Sequence, residues 1–187
     1  MDVKRTALLV MDVQPGIVER LGSESLLARL TEATDAARSA GVLVVFVAVG
    51  FRPGHPEVSS RNHSFSRLRA SGSFIEGAAS AVHPALGPQR GDILVTKRRV
   101  SAFSGSDLEL LLRSAAIDSL VLSGIATSGV VLSTLRQAAD LDYELAVLAD
   151  GCADADSEVH RILLEKVFPR QAQILTVADW RTALAAA

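Results

Sequence analysis

A single cysteine, Cys152, occurs among the 187 residues, so no disulfide can form within the chain, and a lone thiol fits a reducing compartment. No apolar run approaches the roughly 18 residues that a membrane-spanning helix needs. The opening Met1-Asp-Val-Lys-Arg5 has neither the long apolar core nor the small-residue cleavage site of a secretory leader. Together these absences predict a cytoplasmic protein with no membrane partner. No block of Lys and Arg stands out and the formal net charge is −2, which argues against nucleic acid as a partner. The four histidines, His55, His63, His83 and His160, show no tight His-x-x-x-His spacing. Neither a metal nor another cofactor is expected.

What is present is a globular composition, 49% hydrophobic and 21% charged, in a length that suits one domain over residues 1–187. Short apolar runs alternate with helix-like stretches. Thr6–Met11 and Val42–Val49 are apolar throughout, the pattern of strands buried on both faces of a parallel sheet. Ile93–Thr96, Ser119–Leu122, Tyr143–Leu148 and Gln173–Val177 complete six predicted strands. Pro15-Gly16 reads as a break after the first. Helices fit Ser23–Ala40 with Gly41 as cap, Asp107–Ala116, about Ser128–Asp140, Asp156–Val167 with Asp156 as N-cap, and a last helix opened by Asp179. The alternation predicts an α/β fold, a three-layer α-β-α sandwich with a six-stranded, mainly parallel, Rossmann-like sheet. Residues 50–91, rich in Gly, Pro, Ser and Asn, form one long irregular connection, a candidate substrate lid or subunit contact.

Ligands of open α/β sheets bind at the carboxyl ends of the strands, which selects few residues. Strand one delivers Asp12, strand three Lys97, strand four the turn Gly124–Val130, and strand five Asp150 and Cys152. Asp12 and Lys97 each follow an apolar run. A lone buried charge is costly, so the economical arrangement sets the two against each other across one pocket, where the pair could move a proton. Burial raises the carboxylate pKa and the cation lowers it, and the two effects oppose each other. The turn Ala126-Thr-Ser-Gly129 lacks the first glycine of a Gly-x-Ser-x-Gly elbow, so a serine nucleophile is disfavoured. Cys152 reads more readily as a small packing residue than as a nucleophile.

Three fragments in this order resemble the isochorismatase-like hydrolase superfamily: Leu8-Leu-Val-Met-Asp12-Val-Gln14, Val95-Thr-Lys97 through Ser101-Ala-Phe103-Ser-Gly105, and Leu122-Ser-Gly124-Ile-Ala-Thr127-Ser-Gly-Val130. The resemblance spans nearly the whole chain. It implies a catalytic Asp12 and Lys97, and a cis peptide near Ile125-Ala126 that aims the N–H groups of Ala126 and Val130 at an oxyanion. It places Gln14, Ile17, Phe103, Ile125, Ala126 and Thr127 around the substrate. Amidase-type members of the superfamily carry a nucleophilic cysteine that would fall at position 130. Here that residue is Val130, which has no lone pair to attack with, so the chain resembles a member lacking the nucleophilic Cys. Ile17 replaces the aromatic that lines the isochorismatase pocket, and Phe51-Arg-Pro-Gly-His-Pro56 lacks the nicotinamidase metal motif.

The resemblance thus implies vinyl-ether hydrolysis of an isochorismate-like, anionic small molecule, with Asp12 as general acid. A catalytically degenerate binding or interaction member, or an amidase-type enzyme with another nucleophile such as Cys152, are the alternatives. Family members are commonly homo-oligomers, which implies a dimer or tetramer here.

Overall fold

The structure, a computed structural model, describes residues 2–22 and 24–186. Six parallel strands form one sheet in the order β3-β2-β1-β4-β5-β6. They are β1 (Thr6–Met11), β2 (Leu43–Val49), β3 (Ile93–Lys97), β4 (Ser119–Ile125), β5 (Glu144–Ala153) and β6 (Gln173–Leu175). Successive side chains of a strand point to opposite faces, and β1 is buried on both. Leu8 and Val10 pack on one side; Ala7, Leu9 and Met11 pack on the other. Each fully buried Leu or Val contributes about 1.5–3 kcal/mol. An unbroken apolar run therefore stabilises a strand only between two covering layers.

The first layer holds α1 (Pro15–Leu21), α2 (Glu24–Ala40), α3 (His63–Ser71) and α7 (Val177–Ala185). They contribute Val18, Leu30, Phe65 and Trp180, among others, to one core. The second holds α4 (Leu108–Ser114), α5 (Leu132–Asp140) and the stretch after α6 (Ser157–Ile162), with Leu112, Leu135 and Phe168 in a separate core. Among the described residues, no helix is long and apolar enough to cross a membrane.

Several element boundaries differ from the sequence expectation, each for a local reason. Pro15-Gly16 does not break the chain: Pro15 opens α1. Proline suits the first helical position, because its φ is already helical and the missing N–H is one that a helix start leaves unpaired. Ser23, the expected start of the second helix, lies outside the described residues. Asp179 does not open α7. Thr176 caps it, and Asp179 sits three residues on, its carboxylate returning to the Thr176 backbone in a capping box. Strand β5 runs past Leu148 through Asp150-Gly151 to Ala153, with a register irregularity opposite Leu122 and Gly124. The connection 50–91 contains α3, capped by the Asn62 side chain, and short 3-10 turns at Ala78–Ser80 and Pro84–Leu86.

The chain builds β1, β2 and β3 outward in one direction and then crosses to place β4 on the other side of β1. The crevice at that switch point lies between the carboxyl ends of β1 and β4. Met11 is paired there with Gly124, whose φ is 131°; a Cβ on Gly124 would stand 2.0 Å from the Met11 carbonyl oxygen. Only glycine lets β4 lie this close to β1.

Candidate active site

Asp12 follows the last residue of β1 and has a left-handed backbone, φ 57°, a conformation that Asp tolerates better than most residues. Its N–H donates to the Val47 carbonyl at 2.8 Å, which fixes the turn. Lys97 ends β3, two strands away. Its side chain crosses the end of β2 and brings Nζ to 2.9 Å from Asp12 Oδ2. The same Nζ donates to the Arg99 carbonyl at 2.9 Å. Asp12 is 7% exposed and Lys97 2%, so the pair is almost sealed within the chain.

Asp12 Oδ1 is buried and has no hydrogen-bond partner among the described residues. Burial pushes the Asp12 carboxyl above the usual carboxylate range, and the Lys97 ammonium opposes this without cancelling it. One oxygen is thus held by a cation, and the other is unengaged on a carboxyl that keeps its proton more readily than an exposed one. That is the equipment of a proton donor.

The connection 50–91 and the loop after β3 are tied to the strand ends that carry the pair. Gln14 is fully buried, and its amide is spent on backbone: Nε2 donates to the carbonyls of Val49 (3.0 Å) and Ser80 (2.8 Å), and Oε1 accepts from Val49 N–H (3.0 Å). It pins the ends of β1 and β2 to the Ala78–Ser80 turn. The His83 N–H adds a bond to the Val13 carbonyl at 2.8 Å. Arg98 ties Gly50 to Glu76, and the Arg99 guanidinium donates to the Glu57 carbonyl at 2.7 Å while lying over the Phe65 ring.

At the end of β4 the Ile125–Ala126 peptide is cis, and Thr127–Val131 form a single wide turn that leads into α5. The Ser128 N–H is taken by Asp154 Oδ2 at 2.6 Å, and those of Gly129 and Val131 by the Ala126 carbonyl. Thr127 is fully buried, and its Oγ1 lies 2.8 Å from His160 Nδ1 on α6. Sequence reasoning passed over this contact. Thirty-three positions separate the two residues, and no spacing rule links a turn threonine to a histidine on a later helix.

Of the residues singled out from sequence, the structure joins Asp12 to Lys97 and sets Ile125, Ala126 and Thr127 at the end of the strand beside Asp12. The others make contacts of their own. Gln14 spends its amide on backbone. Ile17, on α1, is packed in the first core and Val130 in the second. Phe103 enters the second core, its ring 6.1 Å from that of Tyr143. Its backbone segment is held against α5 by Ala102 N–H to Thr134 Oγ1 (2.9 Å) and by Ser101 Oγ to Gln137 Oε1 (2.7 Å). Cys152 is buried within β5, where burial pushes its thiol up to about 12. A thiol that stays protonated at neutral pH is a poor nucleophile, which weighs against the alternative of Cys152 as nucleophile and agrees with its reading as a small packing residue.

Residues 6–179 match the family model of the isochorismatase domain. The isochorismatase family protein YwoC of Bacillus subtilis is 34% identical over 179 residues, covering 96% of this chain and 94% of its own. The ureidoacrylate amidohydrolase of Stutzerimonas stutzeri is 35% identical over 182 residues, 84% of this chain and 73% of its own. Among solved structures, an isochorismatase family protein from Burkholderia thailandensis superposes with a TM-score of 0.83 at 30% identity over 97% of this chain and 96% of that one. A cysteine hydrolase from Pseudomonas syringae pv. phaseolicola superposes with a TM-score of 0.90 over 100% of this chain and 95% of that one; at 22% identity this is a likeness of fold.

Proposed function

This chain belongs to the isochorismatase family of hydrolases, and on that premise we propose that it cleaves a small anionic metabolite without a covalent thiol intermediate, with Asp12 as general acid. The observation that carries the reading is the Asp12 carboxyl: buried, held through Oδ2 by Lys97, and unengaged at Oδ1.

A vinyl ether of pyruvate suits this equipment best. Asp12 gives its proton to the terminal methylene carbon, and the double-bond electrons form the new C–H bond. The adjacent carbon becomes an oxocarbenium centre. Water adds to that carbon, and its proton returns to the Asp12 carboxylate. The resulting hemiketal collapses to pyruvate and an alcohol. Lys97 balances the charge left on Asp12 between the two proton transfers, and N–H groups of Ala126 and Val130 hold anionic oxygens of the substrate. No step needs a side-chain nucleophile, which accords with valine at position 130 and a protonated thiol at Cys152. Isochorismate is the best single substrate of this kind.

A second reading, a member that binds a small molecule without turning it over, rests on the same valine. Incubation with isochorismate, with pyruvate release followed through a coupled dehydrogenase, separates the two. Catalytic release supports the hydrolase. A ligand-induced rise in melting temperature with no pyruvate, even at high enzyme concentration, supports the binding member and removes isochorismate as substrate.

A further inference from the structure

The wide turn that follows β4 is fastened from one direction. Asp154 takes the Ser128 N–H, Asp156 caps α6 through the N–H groups of Glu158 (2.9 Å) and Val159 (3.1 Å), and α6 carries His160 to Thr127 Oγ1. Thr127 is fully buried two residues past the end of β4, the strand that neighbours β1 and its Asp12 end. A hydroxyl has one proton, and the imidazole decides where it goes. If Nδ1 is bare, the Thr127 proton points at the ring and only lone pairs face elsewhere. If Nδ1 carries the proton, it donates to Oγ1 and the hydroxyl proton is released toward another acceptor. His160 Nε2 makes no hydrogen bond among the described residues, so the contact at Nδ1 is the one that orients the ring.

We propose that His160 is a positioning residue acting through Thr127: its Nδ1–H holds the Thr127 oxygen so that the Thr127 hydroxyl donates to an anionic oxygen of the substrate. This rests on the reading of the Asp12 crevice as a hydrolytic site. It adds a side-chain donor to the backbone N–H groups already assigned there. The chemical class it recognises is a carboxylate or a hemiketal oxygen, because a donor with its acceptor side already occupied discriminates for negative charge.

The test has one arm that needs no substrate. Long-range nitrogen–proton correlation spectra of histidine-labelled protein report which ring nitrogen of His160 is protonated. The proposal expects Nδ1–H in the native chain and a shift toward the Nε2–H form in Thr127→Val. A bare Nδ1 in the native chain overturns it, whatever the substrate proves to be. The kinetic arm uses pyruvate release from isochorismate. Thr127→Val should lower kcat about 100-fold, the scale of losing one oxyanion donor. His160→Leu should lower it about tenfold at nearly constant KM. His160→Asn, whose amide N–H can stand where Nδ1–H stood, should restore most of that loss. If His160→Leu lowers only the melting temperature and leaves kcat intact, the positioning role is refuted. If the native chain releases no pyruvate, the isochorismate reading fails, and the tautomer spectrum alone decides this one.

Discussion

The Lys97 ammonium stands 2.9 Å from Asp12 Oδ2 although β2 lies between their strands. Neighbouring strands are about 4.8 Å apart, so the backbones of β1 and β3 are roughly 10 Å from each other, and only a long, flexible side chain closes that gap. The four-carbon stem of Lys97 lies buried over the end of β2 and delivers its charge to one carboxylate oxygen. Two residues 85 positions apart thus make a single proton-holding unit whose strength depends on both being dry.

That unit makes the stability of the fold depend on pH. The folded chain holds the Asp12 proton more tightly than the unfolded chain does, because burial raises this carboxyl. The group therefore favours folding below the ordinary carboxylate pKa, and the contribution is lost as pH rises through the raised value. Lys97→Met widens that loss by leaving a buried carboxylate unpaired. Urea unfolding should show it about 3–5 kcal/mol less stable than the native chain at neutral pH and much closer to it at acid pH, where Asp12 is protonated. An equal deficit at both pH values would contradict the pairing.

The same shift sets the direction of the pH–rate profile. A general acid must start protonated, so kcat/KM should be highest on the acid side and fall as pH rises through the raised Asp12 value. A rate that climbs with pH over that range would make Asp12 a base and would reassign the chemistry.

Two glycines near the switch point, Gly124 in β4 and Gly129 in the turn after it, should respond in opposite ways. Gly124→Ala places a methyl 2.0 Å from the Met11 carbonyl oxygen, in a left-handed backbone, and should cost more than about 4 kcal/mol or prevent folding. Gly129→Ala meets nothing closer than the Ala126 Cβ at 3.8 Å and should be neutral or stabilising by about 0.4–1 kcal/mol. Thermal melts of the pair decide this, and equal effects would mean that the close approach of β1 and β4 is not the constraint.

Cys152 should be silent. A thiol pushed up to about 12 inside β5 should resist a thiol-specific chromogenic reagent at pH ~8 in the native chain and react fully in denaturant. Cys152→Ala should keep the native turnover rate. Rapid native labelling together with loss of turnover in Cys152→Ala would restore a cysteine mechanism.

The central strands were readable because a strand buried on both faces must be apolar throughout, so a charge directly after it is conspicuous. Thr6–Met11, buried along its whole length before Asp12, showed this; β3 is an edge strand with Leu94 and Thr96 exposed, so Lys97 stood out only as a charge at the end of a short apolar run. What was hidden depended on contacts between distant segments or on local chemistry that reads two ways. Pro15 serves equally as a breaker and as a first helical residue, and only the packing of Val18 into the core decides for the helix. Asp179 fits both a cap and the third residue of a capping box. The resemblance places Gln14 at the substrate, and nothing in the sequence signals that its amide is held by the backbone of Val49 and Ser80, segments 35 and 66 positions away. The pairing of Thr127 with His160 depends on where α6 comes to rest, which neither residue's neighbours encode.

In the proposed mechanism the working proton comes from Asp12. The measurement that tests it most directly is the rate of pyruvate release from isochorismate by the native chain and by Asp12→Asn, an isosteric change that cannot donate an acidic proton. The expected result is turnover by the native chain and none above background by the variant, with both folded by circular dichroism. Full turnover by Asp12→Asn would contradict it.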